Sequence, residues 1–136
     1  MYKNLMCNFI LVFYFLKNFK IIIYIIKMEN QLEKLLDKLR ELMEIIFKIL
    51  IENNENVDDE NRNKLKYIFR KYEEIFYLIM NDDVENGYNL LFELKQWRTE
   101  NINNYLFSCD EGKKLIQEIM EFNISFMTFQ FEIMRN

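Results

Sequence analysis

The sequence predicts an all-α protein: an antiparallel four-helix bundle over about 29–134, preceded by a hydrophobic N-terminal segment. Three observations predict it. Branched aliphatic residues recur in steps of three and four from Leu32 onward. Asn and Asp clusters interrupt the pattern at 53–56, 81–83 and 101–104. The last twenty-odd positions carry opposed apolar and polar stripes at helical spacing. A length of 136 residues suits one compact domain, because a chain of that size buries roughly two thirds of its unfolded surface in a single core.

The first helix is expected over about 29–52. Leu32, Leu35, Leu39, Leu42, Ile46 and Ile49 step by 3, 4, 3, 4, 3 and so share one seam. Asn53, Asn54, Glu55 and Asn56 end it, since Asn favours turn conformations. The second helix should open near Val57 or Asp58, capped by Asn56, with Asp58, Asp59 and Glu60 at the positive end of its dipole. Its expected seam is Leu65, Ile68 or Phe69, Tyr72, Ile75 or Phe76, and Ile79.

Asp82 with Glu85 has capping-box spacing and marks the start of the third helix, whose seam reads Val84, Tyr88, Leu91, Leu94, Trp97. Asn101, Asn103 and Asn104 should end it. Ser108 with Glu111 is the corresponding box for the fourth helix, which places Cys109 in a first turn. Two periods compete in that last segment. Phe122, Ile124, Phe126 and Phe129, Phe131, Ile133 alternate as a strand would. A helix accounts for more residues at once. Leu115, Ile119, Phe122, Phe126, Phe129 and Ile133 form one stripe, and Lys114, Glu118, Glu121, Ser125, Thr128 and Glu132 form the opposite one. Ile116, Met120, Ile124, Met127, Phe131 and Met134 widen the apolar face, which suits a central helix or one that meets a partner.

Composition divides the chain into 1–27 and 28–136. The first part carries Lys3, Lys17, Lys20 and Lys27 and no acid. The second holds 14 of the 18 basic side chains against all 22 acidic ones, a formal −8. Leu5 to Ile26 is 22 residues, long enough to span a bilayer, but Lys17, Asn18 and Lys20 fall past its middle, and a central Lys costs about 2.5 to 3.5 kcal/mol. Spanning is therefore marginal. Lys17, Lys20, Tyr24 and Lys27 share one helical face, which equally allows a helix lying on an anionic surface. Packing within the protein, or a native start at Met28 that leaves 1–27 without a role, are the other readings of this segment. No small-residue cleavage site follows the apolar run, so a secretory signal fits it poorly.

The chain contains no His and no Pro, and its glycines are Gly87 and Gly112 alone. Without His there is no Ser-His-Asp or Cys-His pair and no imidazole metal ligand. With so little Gly, no phosphate-cradling loop can be assembled. Cys7 and Cys109 are too few for a disulfide framework or a zinc knuckle and point to a reducing compartment.

Four groups of residues have spacing that suits a site. Glu41 with Glu44, and Glu118 with Glu121, are i, i+3 carboxylate pairs whose arrangement resembles that of all-helical nucleotide pyrophosphatases. The resemblance implies magnesium held between two helices, whereas the helical periodicity puts both pairs on polar stripes opposite the core. Asn54, Asn56 and Asp58 imitate the first ligands of a calcium loop, but Asp59 stands where Gly is needed and Leu65 where the closing Glu belongs. Cys109 gains from a helix dipole and loses to the adjacent Asp110 and Glu111, so it reads as a small apolar residue. Trp97 and Arg98 suit an exposed binding anchor, although Trp97 equally fits the core seam.

These readings assign no catalytic, metal-binding or cofactor-binding residue and imply no cofactor. The basic residues of 28–136 alternate with acids, which argues against nucleic acid as a partner. The expectation is a noncatalytic cytoplasmic protein that binds another protein or its own copy, in the manner of a toxin-neutralising immunity protein or a small secretion chaperone. The alternative is a membrane-associated protein anchored through residues 5–26.

Overall fold

The computed structural model describes residues 2–52 and 57–135, with side chains described at 11, 12, 14–52 and 57–133. The chain is an all-α helical bundle, and there is no strand among the described residues. Among the described residues five helices follow in order: α1 (Tyr2–Glu52), α2 (Asp59–Met80), α3 (Val84–Asn101), α4 (Asn103–Phe107) and α5 (Asp110–Arg135). The residues group into two compact units, one reaching as far as Glu33 and the other Lys34–Asn136.

The first helix begins far earlier than the expected position 29. The shift in composition at Met28 leaves no mark on the backbone, which stays helical through it. The reason is local. No Pro or Gly occurs before position 87, so nothing in this stretch removes an amide donor or favours a left-handed turn.

Within Lys34–Asn136 the expected seams form the core. Leu35, Leu39, Leu42, Ile46 and Ile49 of α1 are buried, as are Leu65, Ile68, Tyr72, Ile75 and Ile79 of α2. Phe69 and Phe76, the alternatives on α2, are half-buried at its margin, where the Arg40 guanidinium of α1 stands 5.1 Å from the Phe76 ring centre. The competition over the last segment resolves as helix. Leu115, Ile119, Phe122, Phe126 and Phe129 are buried together on α5, which a two-residue period cannot achieve.

Aromatic rings join these helices. Tyr72 of α2 meets Phe122 of α5 edge to face at 6.3 Å, and Tyr88 of α3 lies 5.4 Å from Phe126. Each fully buried aliphatic or aromatic side chain stabilises the fold by about 1.5–3 kcal/mol. The ion pairs Asp37–Arg40, Glu60–Lys64 and Lys71–Glu74 each link neighbours on one helix, where such pairs contribute about 0.3–0.5 kcal/mol. Apolar burial therefore dominates.

The helix ends depart from the sequence reading in three places. Asp58 caps α2, its carboxylate accepting the Asn61 amide at 2.7 Å; the expected cap, Asn56, lies outside the described residues. Asp82 and Glu85 form no capping box. Instead Asp82 takes φ 61° and closes α2: its amide donates to the Ile79 carbonyl at 3.2 Å, and that of Asp83 to the Leu78 carbonyl at 2.8 Å. This is a Schellman ending with Asp in the position Gly usually fills. Ser108 likewise fails to cap, because its hydroxyl donates back to the Tyr105 carbonyl. Cys109 stands immediately before α5 and its carbonyl accepts the Lys113 amide at 3.0 Å.

Asp82 supplies a first prediction. The left-handed conformation costs a non-glycine residue about 1 kcal/mol or more, so Asp82→Gly should raise stability by about 0.5–1 kcal/mol. Urea unfolding should show a higher midpoint with unchanged slope. A lower midpoint would mean that the Asp side chain supports the turn.

The interruption at 101–104 is a corner. The Asn101 side-chain amide donates to the Trp97 carbonyl at 2.8 Å, and α3 ends there. Ile102 (2% exposed) turns into the core, and one helical turn later Leu106 does the same. The fourth long helix, α5, therefore follows a short α4.

Candidate functional site

The carboxylate pairs stay apart. Glu41 and Glu44 are exposed on α1, Glu121 is exposed on α5 and Glu118 is half-buried beside it. No group of three or more His, Cys, Asp or Glu among the described residues is placed to hold a metal ion. Asp58, which imitates a calcium-loop ligand, is engaged as the α2 cap, and Asn54 and Asn56 lie outside the described residues.

Trp97 and Arg98 do not form the exposed pair that a binding anchor needs. Trp97 is half-buried against Tyr67 of α2, with ring centres 4.3 Å apart, while Arg98 is only 6% exposed. The seam Leu91, Leu94 continues equally well by a step of three to Trp97 or of four to Arg98, so periodicity alone does not decide between them. Helix packing favours the second. Burial of Arg98 leaves its Nε without a hydrogen-bond partner, and the Tyr72 hydroxyl is orphaned in the same way. Burial pushes the Tyr72 phenol up to about 12, and the nearby Arg98 charge draws it back in part. Both groups are polar defects in the core: the apolar stepping places Tyr72 there without showing that its hydroxyl is left unpaired, and it does not choose Arg98 over Trp97.

A small cavity of about 220 Å³ lies where the end of α1 and the start of α2 meet α4 and α5. It is lined by Ile49, Val57, Tyr105, Leu106, Ser108, Cys109, Glu111 and Gly112. Cys109 is free and half-buried, its thiol 3.9 Å from the Tyr105 carbonyl oxygen. Partial burial raises the Tyr105 phenol, with Cys109, Asp58 and Glu111 adding to the effect. The hollow therefore combines apolar walls with a protonated phenol and neighbouring acids. That set has no strong base to activate the thiol.

An organised apolar surface lies along α5. Met120, Ile124, Met127 and Phe131 are 58%, 62%, 49% and 67% exposed and step by 4, 3, 4. At about 100° per residue they fall within roughly 60° of arc, on the side away from the buried seam. The same geometry places Glu121, Thr128 and Glu132 along one flank and Asn123 and Gln130 along the other. α5 thus has two apolar seams, one occupied by the bundle and one open. The wide apolar face expected from the sequence divides into these two.

Comparison of the chain with protein-family models, with curated proteins and with solved structures finds no match. Among the described residues no helix is long and apolar enough to cross a membrane. Of the span 5–26 read from the sequence, the side chains of residues 5–10 and 13 lie outside the described ones.

Proposed function

We propose that this chain is a noncatalytic interaction module, holding an amphipathic helix of a basic partner protein along the outer seam of α5. The observation that carries the reading is the exposed 4, 3, 4 row Met120, Ile124, Met127, Phe131. Helices take such rows into the grooves of a second helix, read as anchors at i, i+4, i+7 and i+11. Met and Phe suit the task because both bring large apolar area, and the thioether adapts to an irregular partner. The formal −8 of residues 28–136, with Glu121 and Glu132 beside the row, favours a positively charged partner and speeds encounter with it. Immunity-type and chaperone-type binding both suit a bundle of this size and charge. The free Cys109 is compatible with work in the cytoplasm.

The test compares the native chain with Ile124→Glu and Phe131→Glu, both at exposed positions where folding should persist. The partner captured by the native chain should bind either variant at least thirtyfold more weakly, the scale of a lost interface anchor. Lys95→Glu on α3, also exposed, should retain it. A partner held equally by the seam variants would overturn the reading. Sedimentation showing a dimer that the same substitutions dissociate would assign the seam to a second copy instead.

A further inference from the structure

The open seam of α5 leaves a second exposed apolar surface unaccounted for, on the N-terminal part of α1. Every described side chain from Leu11 to Lys27 is exposed except Asn18, which is half-buried. Exposure of Leu11, Phe15 and Ile22 is 62%, 66% and 52%. At about 100° per residue, Lys17, Lys20, Tyr24 and Lys27 occupy roughly 80° of the circumference. Apolar side chains and Tyr14 fill about 220° of the remainder, broken by Asn18. Phe15 and Phe19 stack along the apolar side with ring centres 6.1 Å apart.

We propose that residues 11–27 lie in the plane of an anionic lipid surface, the wide apolar arc sunk at the acyl boundary and Lys17, Lys20 and Lys27 held among the headgroups. Two features choose this occupant over a partner helix. A coiled-coil partner covers an a/d seam of about 100° or less, leaving more than half of this arc wet, whereas a bilayer interface receives all of it. The charge is also of one sign: residues 1–27 carry four Lys and no acid, so a second copy alongside would set Lys against Lys, while acidic lipid complements them. The Lys stems reach past the apolar surface, which lets the ammonium groups stay hydrated while the helix sinks. Lying in the plane, and not crossing, follows from Lys17 and Lys20 near the middle of the apolar run.

The experiment uses the full chain and flotation with two kinds of vesicle, phosphatidylcholine alone and phosphatidylcholine with a third phosphatidylserine. Binding should be strong to the acidic vesicles, weaker by roughly a hundredfold to the neutral ones, and reversed by high salt. Replacing Lys17, Lys20 and Lys27 together by Gln should produce a similar loss on acidic vesicles. Phe15→Ser with Phe19→Ser and Ile22→Ser should abolish binding to both. These positions are exposed, so the thermal transition of the bundle should not move, which separates lost binding from lost folding. Absence of flotation with acidic vesicles would overturn the proposal, and so would binding indifferent to the three Lys. Retention of the chain by vesicles after high-salt and alkaline washing would replace it with a spanning segment. Self-association lost with the Phe15, Phe19 and Ile22 substitutions, without vesicle binding, would replace it with a second copy. The α5 seam is untouched by every variant, so this proposal and the partner-binding reading fail separately.

Discussion

Replacing Gly112 by Ala should destabilise the bundle by about 3 kcal/mol, near the upper end of what overpacking costs. Gly112 is buried in the first turn of α5, where the helix crosses the backbone of α4. A methyl group there would overlap the Leu106 carbonyl oxygen and come within 2.6 Å of its Cα and 2.7 Å of its carbonyl carbon. These are backbone atoms, and Leu106 has little room to retreat. Its side chain is fully buried and its amide donates to the Ile102 carbonyl at 3.0 Å. The gain in helix propensity on replacing Gly by Ala, about 1 kcal/mol, is too small to offset the collision.

The other glycine provides the control. A methyl at Gly87 would meet Ile79 Cγ1 at 3.5 Å, Phe126 Cζ at 3.6 Å and Leu78 Cβ at 3.7 Å, all ordinary contacts. Gly87→Ala should therefore stabilise by about 0.5–1 kcal/mol, from the lowered entropy of the unfolded chain. Urea unfolding of the two variants should move the midpoint in opposite directions. A Gly112→Ala midpoint within error of the native one would refute the close approach of α4 and α5.

The second large effect is alkaline loss of stability through Tyr72. Its phenol ionises near 10 in the unfolded chain and at about 12 in the fold, so the folded state holds its proton more tightly. The resulting stabilisation is complete below pH 10. It falls as pH rises towards 12, because the unfolded chain gives up a proton that the folded chain retains. A difference of this size corresponds to about 2–3 kcal/mol. Other groups titrate in this range, and Tyr105 contributes in the same direction, so the decisive comparison is with Tyr72→Phe. Removing the hydroxyl should abolish the Tyr72 share of the decline. It should also raise stability near pH 8 by about 1 kcal/mol, because the oxygen is buried without a hydrogen-bond partner. Parallel stability curves for the two proteins from pH 8 to pH 11 would show that Tyr72 is not held in this environment.

The elements that were readable from residue order are those in which one local rule acts without competition. The seams of α1 and α2 follow from apolar stepping because a helix has only one way to bring positions three and four apart to one side. The corner at 101–104 follows from Asn, whose side chain competes with the helical backbone. Residue order misleads where two local rules offer equal answers. Asp82 with Glu85 has the spacing of a cap, yet the preceding helix needed a left-handed residue to close, and Asp82 was recruited for that. Ser108 with Glu111 has the same spacing, and there α4 claimed the hydroxyl. Of the candidate site residues, Glu41, Glu44 and Glu121 are exposed as their stripes predict, whereas Glu118 is half-buried and the side of α5 opposite the core is apolar; the stepping does not choose between Trp97 and Arg98.

Residue order by itself determined that this chain is helical, where most of its turns fall and which side of each long helix is greasy, because those properties depend on neighbours within a turn or two. Tertiary structure alone decided that the Leu106 backbone leaves no room for a side chain at Gly112, that Arg98 joins Tyr72 in the core with polar atoms unpaired, and that the apolar width of α5 divides into an occupied and an open seam. Each of these depends on what a different helix places against the residue. That information resides in the packing of segments distant in sequence.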